Sequence, residues 1–441
     1  PVIGLEVHVE LNTKSKMFCR STTDYFGKEP NTCTDPTSLG LPGSLPFINE
    51  QAIEDCMKIG LALGCSISKV SRFERKNYFY PDLPKGYQIS QYRWPLCVEG
   101  RLKIENKQSL RSRDLGRLIR INRVHQEEDT GKLSHLGGVT LIDFNRTSVP
   151  LVEIVTEPDF HDPSEVRDFA KKLQQLFRYL GVSNADMERG DMRLEANVSV
   201  RPEGTEGLPN YRIELKNINS FRFMVAAIEH EIKRQTEALE KGEKLTQETR
   251  GWDENKKETY LQRSKEEAHD YRYFPDPDLP ELRIEESKIK SLESGIPELP
   301  WEKVERYVSE MGISEANARI LAEDKKIAEY FEKVVELGGK EGVEAKQIAN
   351  FLINQKPDVN KVVPEEIVEK IKARGIGVIG DVGELKRLAE ESIKENPESV
   401  EAFKKGKQGA LNVLLGSVMR KSEGKADAGK VKEILKEKLK V

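Results

Sequence analysis

Gly4 Leu5 Glu6 Val7 His8 Val9 Glu10 Leu11 alternates strictly. In an extended strand Gly4, Glu6, His8 and Glu10 share one face, and Leu5, Val7, Val9 and Leu11 share the other. The apolar set belongs to a core. The polar set offers two carboxylates and an imidazole, donors suited to a hard divalent cation such as Mg2+, with histidine the less usual member. A half-exposed antiparallel strand meeting water shows the same alternation. What separates the two readings is recurrence.

The arrangement does recur. Met192, Leu194, Ala196, Val198 and Val200 alternate with Arg193, Glu195, Asn197 and Ser199, while Ile213 and Leu215 alternate with Glu214 and Lys216. A fourth segment starts on apolar Ile119 and Ile121, then puts Arg123, His125, Glu127 and Asp129 in the same register. Sheet faces open to water carry Thr, Lys and Ser. Four strands presenting Glu with Arg, His or Lys interleaved predict one concave acidic and basic surface.

Composition bounds what that surface serves. At 441 residues the chain exceeds one hydrophobic core, so two or three domains are expected, and 33% charged with 37% hydrophobic residues is a soluble globular balance. No run of about 18 apolar residues exists, and no basic stretch leads into an apolar one at the N-terminus, so no membrane partner and no secretory signal are indicated. The chain opens at Pro1 inside a predicted strand, which implies a short preceding piece with the initiator Met. Five unevenly spaced cysteines, at 19, 33, 56, 65 and 97, favour a reducing cytoplasm.

The pattern changes near residue 285. Before it lie strands, Pro/Gly loops and two predicted helices, one over Glu50 to Leu63 and one that follows the start signature Asp162 Pro163 Ser164 Glu165 and runs to about Leu180. After Leu299 Pro300 come short charged helices. The expected division is a catalytic domain over 1–290, a helical domain over 291–365 and a basic helical tail over 366–441. From Ala402 to Val441 eleven Lys/Arg face four Asp/Glu, net +7, against −11 for the rest of the chain. Such a tail is either a solvated helix face or an electrostatic footprint for nucleic acid, and composition does not decide. Neither a P-loop nor a G-x-G-x-x-G after a strand occurs. If ATP binds, carboxylate-held metal ions with Arg and Lys must bear its charge.

Several segments, in order from residue 2 to about 285, resemble the B subunit of the Glu-tRNA(Gln)/Asp-tRNA(Asn) amidotransferase. They are Val2–Val9, Arg75–Tyr92 with Tyr80 Pro81 Asp82 Leu83 Pro84 Lys85 Gly86, His125–Lys132, Pro150–Asp159, Glu214–Phe221 and Asp270–Pro275. The tail, Gly409 to Ala426, is similar to that family's tRNA-binding tail. The resemblance implies an α+β fold: a cradle-like antiparallel sheet, distantly similar to glutamine synthetase, followed by all-α domains. It implies an ATP-dependent ligase that phosphorylates the side-chain carboxylate of Glu-tRNA(Gln) or Asp-tRNA(Asn). Ammonia from a separate glutaminase (A) subunit then displaces the phosphate, with a small C subunit completing the assembly. On the family's pattern Glu6, His8, Glu128, Glu195 and Glu214 are the expected Mg2+ ligands. His125 and Glu127 stand beside them in catalytic roles, and Arg193 and Lys216 stabilise charge on the transferring phosphoryl group. Arg123, Asn197, Asn217, Asn219 and Ser220 are expected on ATP. Lys76, Asn77, Tyr80, Lys85, Tyr87, Gln88 and Gln91 are expected to wall an ammonia passage, and Arg420, Lys421 and Lys425 to meet tRNA.

Two departures stand out. Family members carry C-x-C and C-P-x-C thiolates suited to tetrahedral zinc, whereas here the segments read Cys19 Arg20 Ser21 and Asp35 Pro36 Thr37 Ser38. Structural zinc is therefore not expected; a substitute set of Cys19, Cys33 and Asp35 lacks a fourth ligand. Glu195 stands where the family usually has Asp, and its extra methylene moves the carboxylate by roughly 1.5 Å. Two other readings stay open, a free-standing carboxylate-amine ligase and a non-catalytic tRNA-binding protein. The basic tail argues against the first, and intact Glu6, His8, Glu128 and Glu214 against the second.

Overall fold

The alternating N-terminal segment forms β1 (Val2–Glu10), the middle strand of a nine-stranded sheet in the computed structural model. The structure describes residues 1–104, 116–264, 271–375, 382–404, 407, 409–422, 426 and 428–439. Two units divide the chain, Pro1–Pro300 and Trp301–Val441.

The other strands of the large sheet are β2 (Ser66–Ile67), β3 (Cys97–Ile104), β4 (Arg117–Glu128) and β5 (Pro150–Thr156). They are completed by β6 (Met192–Ser199), β7 (Ile213–Ile218), β8 (Glu248–Asp253) and β9 (Glu258–Ser264). Their order is β9-β8-β7-β6-β1-β5-β4-β3-β2. Every neighbouring pair is antiparallel except β7 and β8. A mixed α/β architecture with one large sheet results, and the four strands read from the sequence are β1, β4, β6 and β7.

Helices cover the apolar face. α1 (Glu50–Ala62) begins where the Asn49 side chain accepts from the Ala52 amide. α2 (Pro163–Leu180) starts on a capping box of Asp162 and Glu165 with Pro163 in its first turn, and ends at Gly181 with φ 71°. It buries Val166, Phe169, Leu173, Leu176 and Phe177, side chains each worth about 1.5–3 kcal/mol when withdrawn from water. A third helix, α3 (Phe221–Glu240), was not foreseen in the sequence. Its inward stripe runs Met224, Ala227, Ile228, Glu231, Gln235, Ala238, so buried polar groups interrupt the apolar period. Glu231 tolerates burial because Arg234 and Arg250 pair with it at 2.8 and 3.1 Å.

Packing of α1 on the sheet is close at Gly60. A Cβ there would stand 2.4 Å from the Cys97 sulfur and 2.8 Å from its Cβ. Gly60→Ala is expected to destabilise: helix propensity favours alanine by about 1 kcal/mol, but overpacking against a strand costs about 1–3 kcal/mol. Urea unfolding checks this; the midpoint should fall with the slope unchanged.

Beyond Pro300 helices dominate the described residues. One apolar cluster gathers Tyr307, Phe331, Val334, Ile348 and Leu352, and a second gathers Leu388, Leu411, Leu414, Val418 and Leu435. The helix Pro364–Gly375, which the expected boundary at 366 would cut, buries Ile367, Val368 and Ile371 in the first cluster. No described helix is long and apolar enough to cross a membrane.

Candidate active site

Strand register assembles the polar face. His8 lies opposite Glu153 on β5 and Arg193 on β6, and Glu6 lies opposite Glu195. Glu153 in turn faces His125 on β4, and Asn197 faces Glu214 on β7. Because side chains alternate, these residues point away from α1, α2 and α3.

Two ligand sets emerge, His8 with Glu127 and Glu153, and Glu6 with Glu195 and Glu214. In each, one donor atom per residue lies within 4.8 Å of the others. Both sets contribute to the walls of one cavity of about 190 Å3, alongside Lys76, Arg193 and Lys216. A larger cavity of about 760 Å3 shares Glu6, Lys76, Glu127, Glu153 and Lys216 and adds Arg123, His125 and Glu214. Carboxylate oxygens predominate, the donor chemistry of Mg2+.

Electrostatics fit a site built for cations and phosphate. Glu6 is raised above its ordinary value by burial, then by the neighbouring Glu153 and Glu195 charges. Burial would also raise Glu153, but its neighbours His125, His8 and Lys76, His125 foremost, outweigh it and hold it far below the carboxylate range. Glu195 is likewise held low despite burial, chiefly by Lys216, whose Nζ lies 2.8 Å from Glu195 and 3.4 Å from Glu214. Burial alone would lower His125, yet Glu153 at 3.0 Å and Glu127 at 3.5 Å push it up to about 9. His125 Nε2 thus lies between two carboxylates and aligns them, with Nδ1 buried and unpartnered among the described residues.

Other predicted residues divide. Glu127 is in the first set and accepts from Gln88 at 3.2 Å and Ser90 at 2.6 Å. Asn197 donates to Glu6 at 2.9 Å. Arg123 lines the larger cavity, whereas Asn219 and Ser220 line neither, and the Asn217 side chain lies outside the described residues. Glu128, expected as a ligand, is in neither set: one residue beyond Glu127, alternation turns it to the opposite face. There the Lys85 ammonium at 2.6 Å and the Ile89 amide at 2.9 Å hold its carboxylate.

Of the seven expected passage residues, Lys76 and Gln88 line the smaller cavity. Lys85 is taken by Glu128. Gln91 is tied between the Ser71 hydroxyl and the Gln126 amide, Asn77 donates to the Arg272 carbonyl, Tyr87 packs under Arg75, and Tyr80 stacks on Tyr78. In the tail, Arg420 and Lys421 sit in the last turn of the helix Ala410–Lys421; Lys425 lies outside the described residues.

Glu153, a member of the first candidate set, was missed by the sequence reading. It sits in Pro150 Leu151 Val152 Glu153 Ile154, where strand burial on both faces erases the alternation. The available signal was a lone carboxylate in an otherwise apolar run.

Neither ligand set includes Cys19, Cys33 or Asp35. Asp35 instead accepts from the Thr37 and Ser38 amides at 2.8 and 2.9 Å. Buried Lys16 and Ser21 both donate to the Cys33 carbonyl, and burial pushes the Cys19 thiol up to about 12. Hydrogen bonds close this loop.

Comparison with known proteins adds independent information. The family model described as GatB/GatE catalytic domain matches residues 1–290, and the model described as GatB domain matches 302–439. A Persephonella marina protein is 42% identical over 481 residues, covering 100% of this chain and 99% of its own length. A Thermodesulfovibrio yellowstonii protein is 43% identical, covering 98% of each. Both are named as the B subunit of an aspartyl/glutamyl-tRNA(Asn/Gln) amidotransferase.

Proposed function

The chain belongs to the family of B subunits of the aspartyl/glutamyl-tRNA(Asn/Gln) amidotransferases, and from that premise we propose how its polar sheet face works. Membership carries the role of a B subunit in a glutamine-hydrolysing, tRNA-dependent amidotransferase, a ligase of protein biosynthesis. The reading adds that this face phosphorylates the side-chain carboxylate of a mischarged Glu-tRNA(Gln) or Asp-tRNA(Asn) with ATP. Ammonia then displaces the phosphate. A carboxylate is a poor electrophile, and phosphorylation turns its oxygen into a leaving group. Glutamine synthetase runs the same chemistry on a free amino acid, and a distant kinship of the two cradles is part of the reading.

The observation that carries it is two carboxylate-rich ligand sets that both contribute to the walls of one cavity, flanked by Arg193 and Lys216. His8, Glu127 and Glu153 would hold one Mg2+, and Glu6, Glu195 and Glu214 a second. Bound Mg2+ would neutralise charge on the transferring phosphoryl group. Lys216 stays bound to Glu195 and Glu214, and so keeps a positive charge at the second set. Arg193 offers N–H donors where negative charge develops. His125 fixes Glu127 and Glu153, and Arg123 and Asn197 remain candidate contacts to the nucleotide.

In this reading ammonia comes from a partner subunit. All five cysteines are buried, and burial pushes the Cys19, Cys65 and Cys97 thiols up, away from the thiolate that a cysteine-dependent glutaminase needs. A glutaminase partner and a small third subunit complete the proposed assembly. Ammonia would enter past Lys76 and Gln88, with Asn77, Tyr80, Lys85, Tyr87 and Gln91 shaping the wall. Water must be excluded there because it would hydrolyse the acyl phosphate.

The test is reconstitution with the glutaminase partner, ATP, glutamine and each mischarged tRNA in turn, followed by identification of the esterified amino acid. Conversion of Glu to Gln or Asp to Asn, dependent on ATP, is the expected result. Amidation of free glutamate would support a small-molecule ligase instead, and tRNA binding without ATP cleavage a non-catalytic role.

A further inference from the structure

We infer that Asp129 is a positioning residue that aims Arg193 into the cavity, an assignment that rests on the proposed contact of Arg193 with the phosphoryl group. Asp129 follows the last residue of β4 and is 2% exposed. Its Oδ2 pairs directly with Arg193 Nη2, and its Oδ1 accepts from the Thr130 amide at 2.8 Å. Arg146 Nε stands 3.6 Å from the same oxygen.

The backbone that carries this carboxylate is held as well. Its own amide donates to the Val149 carbonyl at 2.8 Å, and its carbonyl accepts from the Ser148 amide at 2.9 Å. Arg146 is itself pinned, donating to the Thr130 and Gly131 carbonyls at 2.9 Å each. Buried Glu10 is a neighbouring carboxylate, raised well above its ordinary value by burial and then by the Asp129 charge. Tyr25 donates to Glu10, with its hydroxyl 3.0 Å from one oxygen and 3.2 Å from the other. Tyr25, Glu10, Asp129 and Arg193 are thus successive neighbours, and the last two line the smaller cavity.

Arg193 gains a defined direction from this. A free arginine side chain carries about 2 kcal/mol of rotamer freedom, and Glu195 is a competing carboxylate within its field. Pairing with Asp129 draws the guanidinium away from Glu195, one of the proposed metal ligands. Meanwhile Arg193 Nε is buried and has no partner among the described residues. One nitrogen of the guanidinium is held by Asp129 while the side chain, 29% exposed, lines the cavity, the arrangement expected of a preorganised phosphate contact.

The test uses the assembled amidotransferase and reads tRNA-dependent ATP cleavage for Arg193→Ala, Asp129→Asn and the double variant. Asp129→Asn should lower kcat by about 10- to 100-fold, the loss typical of a misaimed catalytic group, with glutamine hydrolysis by the partner unchanged. In the Arg193→Ala background the same substitution should add nothing beyond about twofold. Added guanidinium should partly restore Arg193→Ala but not the double variant, because the carboxylate that seats it is gone. If Asp129→Asn fails to assemble, Tyr25→Phe takes its place, with a smaller loss that again vanishes in the Arg193→Ala background. Additive losses, or rescue that ignores residue 129, would overturn the assignment. Full activity of Arg193→Ala would overturn both it and the proposed role of Arg193, whereas an unsubstituted complex that cleaves no ATP would sink the functional reading before any variant is compared.

Discussion

Glu153→Gln should cut tRNA-dependent ATP cleavage by a factor on the order of 10² to 10³, the several kcal/mol expected when a metal ligand is lost from a phosphoryl-transfer site. Glutamine preserves the size of the side chain and its place on β5, so the sheet should stay folded. What disappears is the negative charge. That charge faces His8 and His125 in register and forms part of the first ligand set. Without it His125 keeps Glu127, at 3.5 Å, as its one carboxylate partner among the described residues, and the set falls to two strong donors. ADP release measured with mischarged tRNA, alongside an unfolding curve, separates lost chemistry from lost fold. Cleavage within threefold of the unsubstituted chain would remove Glu153 from the ligand set. His8→Ala and Glu214→Ala should act in the same direction, because each removes a donor from one of the two sets.

How far the sequence exposed this site depends on burial. Glu6, His8, Arg193, Glu195, Glu214 and Lys216 were readable because β1, β6 and β7 each turn one apolar face to the helices and one polar face to the cavity. Period-two alternation then names the outward residues without any knowledge of pairing. β5 is covered on both faces, so Glu153 hid inside an apolar run. At the end of β4 two adjacent carboxylates compete for one role, and only strand phase separates Glu127 from Glu128. The phase was readable from Arg123 and His125, yet the family pattern pointed to Glu128. Hydrogen bonds across 39 or more residues, from Ile89 and Lys85, show where that carboxylate is held. α3 escaped for a related reason, since Glu231 and Gln235 break its stripe and find partners distant in sequence. What the sequence concealed was, in each instance, a polar group satisfied by tertiary structure.

Deleting residues 382–441 should raise the KM for mischarged tRNA by an order of magnitude or more and leave glutamine hydrolysis by the partner intact. The cut falls after the helix Pro364–Gly375, whose Ile367, Val368 and Ile371 complete the first apolar cluster, so that cluster is kept whole. What is removed is the second cluster and the basic segment from Ala402 to Val441 with its net +7. Not every cation there is equally free to meet phosphate. Lys421 is already bridged to Glu395 at 2.6 Å and Glu391 at 3.4 Å, while Arg420 on the same helical turn is exposed. Contacts with phosphate release counterions, each steepening the salt dependence by about 0.9 in log affinity per log salt. The difference between full-length and truncated chains should therefore be large at low salt and shrink as salt rises. A KM that stays unchanged at every salt concentration would make the tail's charge a solvated helix face, and the cradle alone would then have to hold the tRNA.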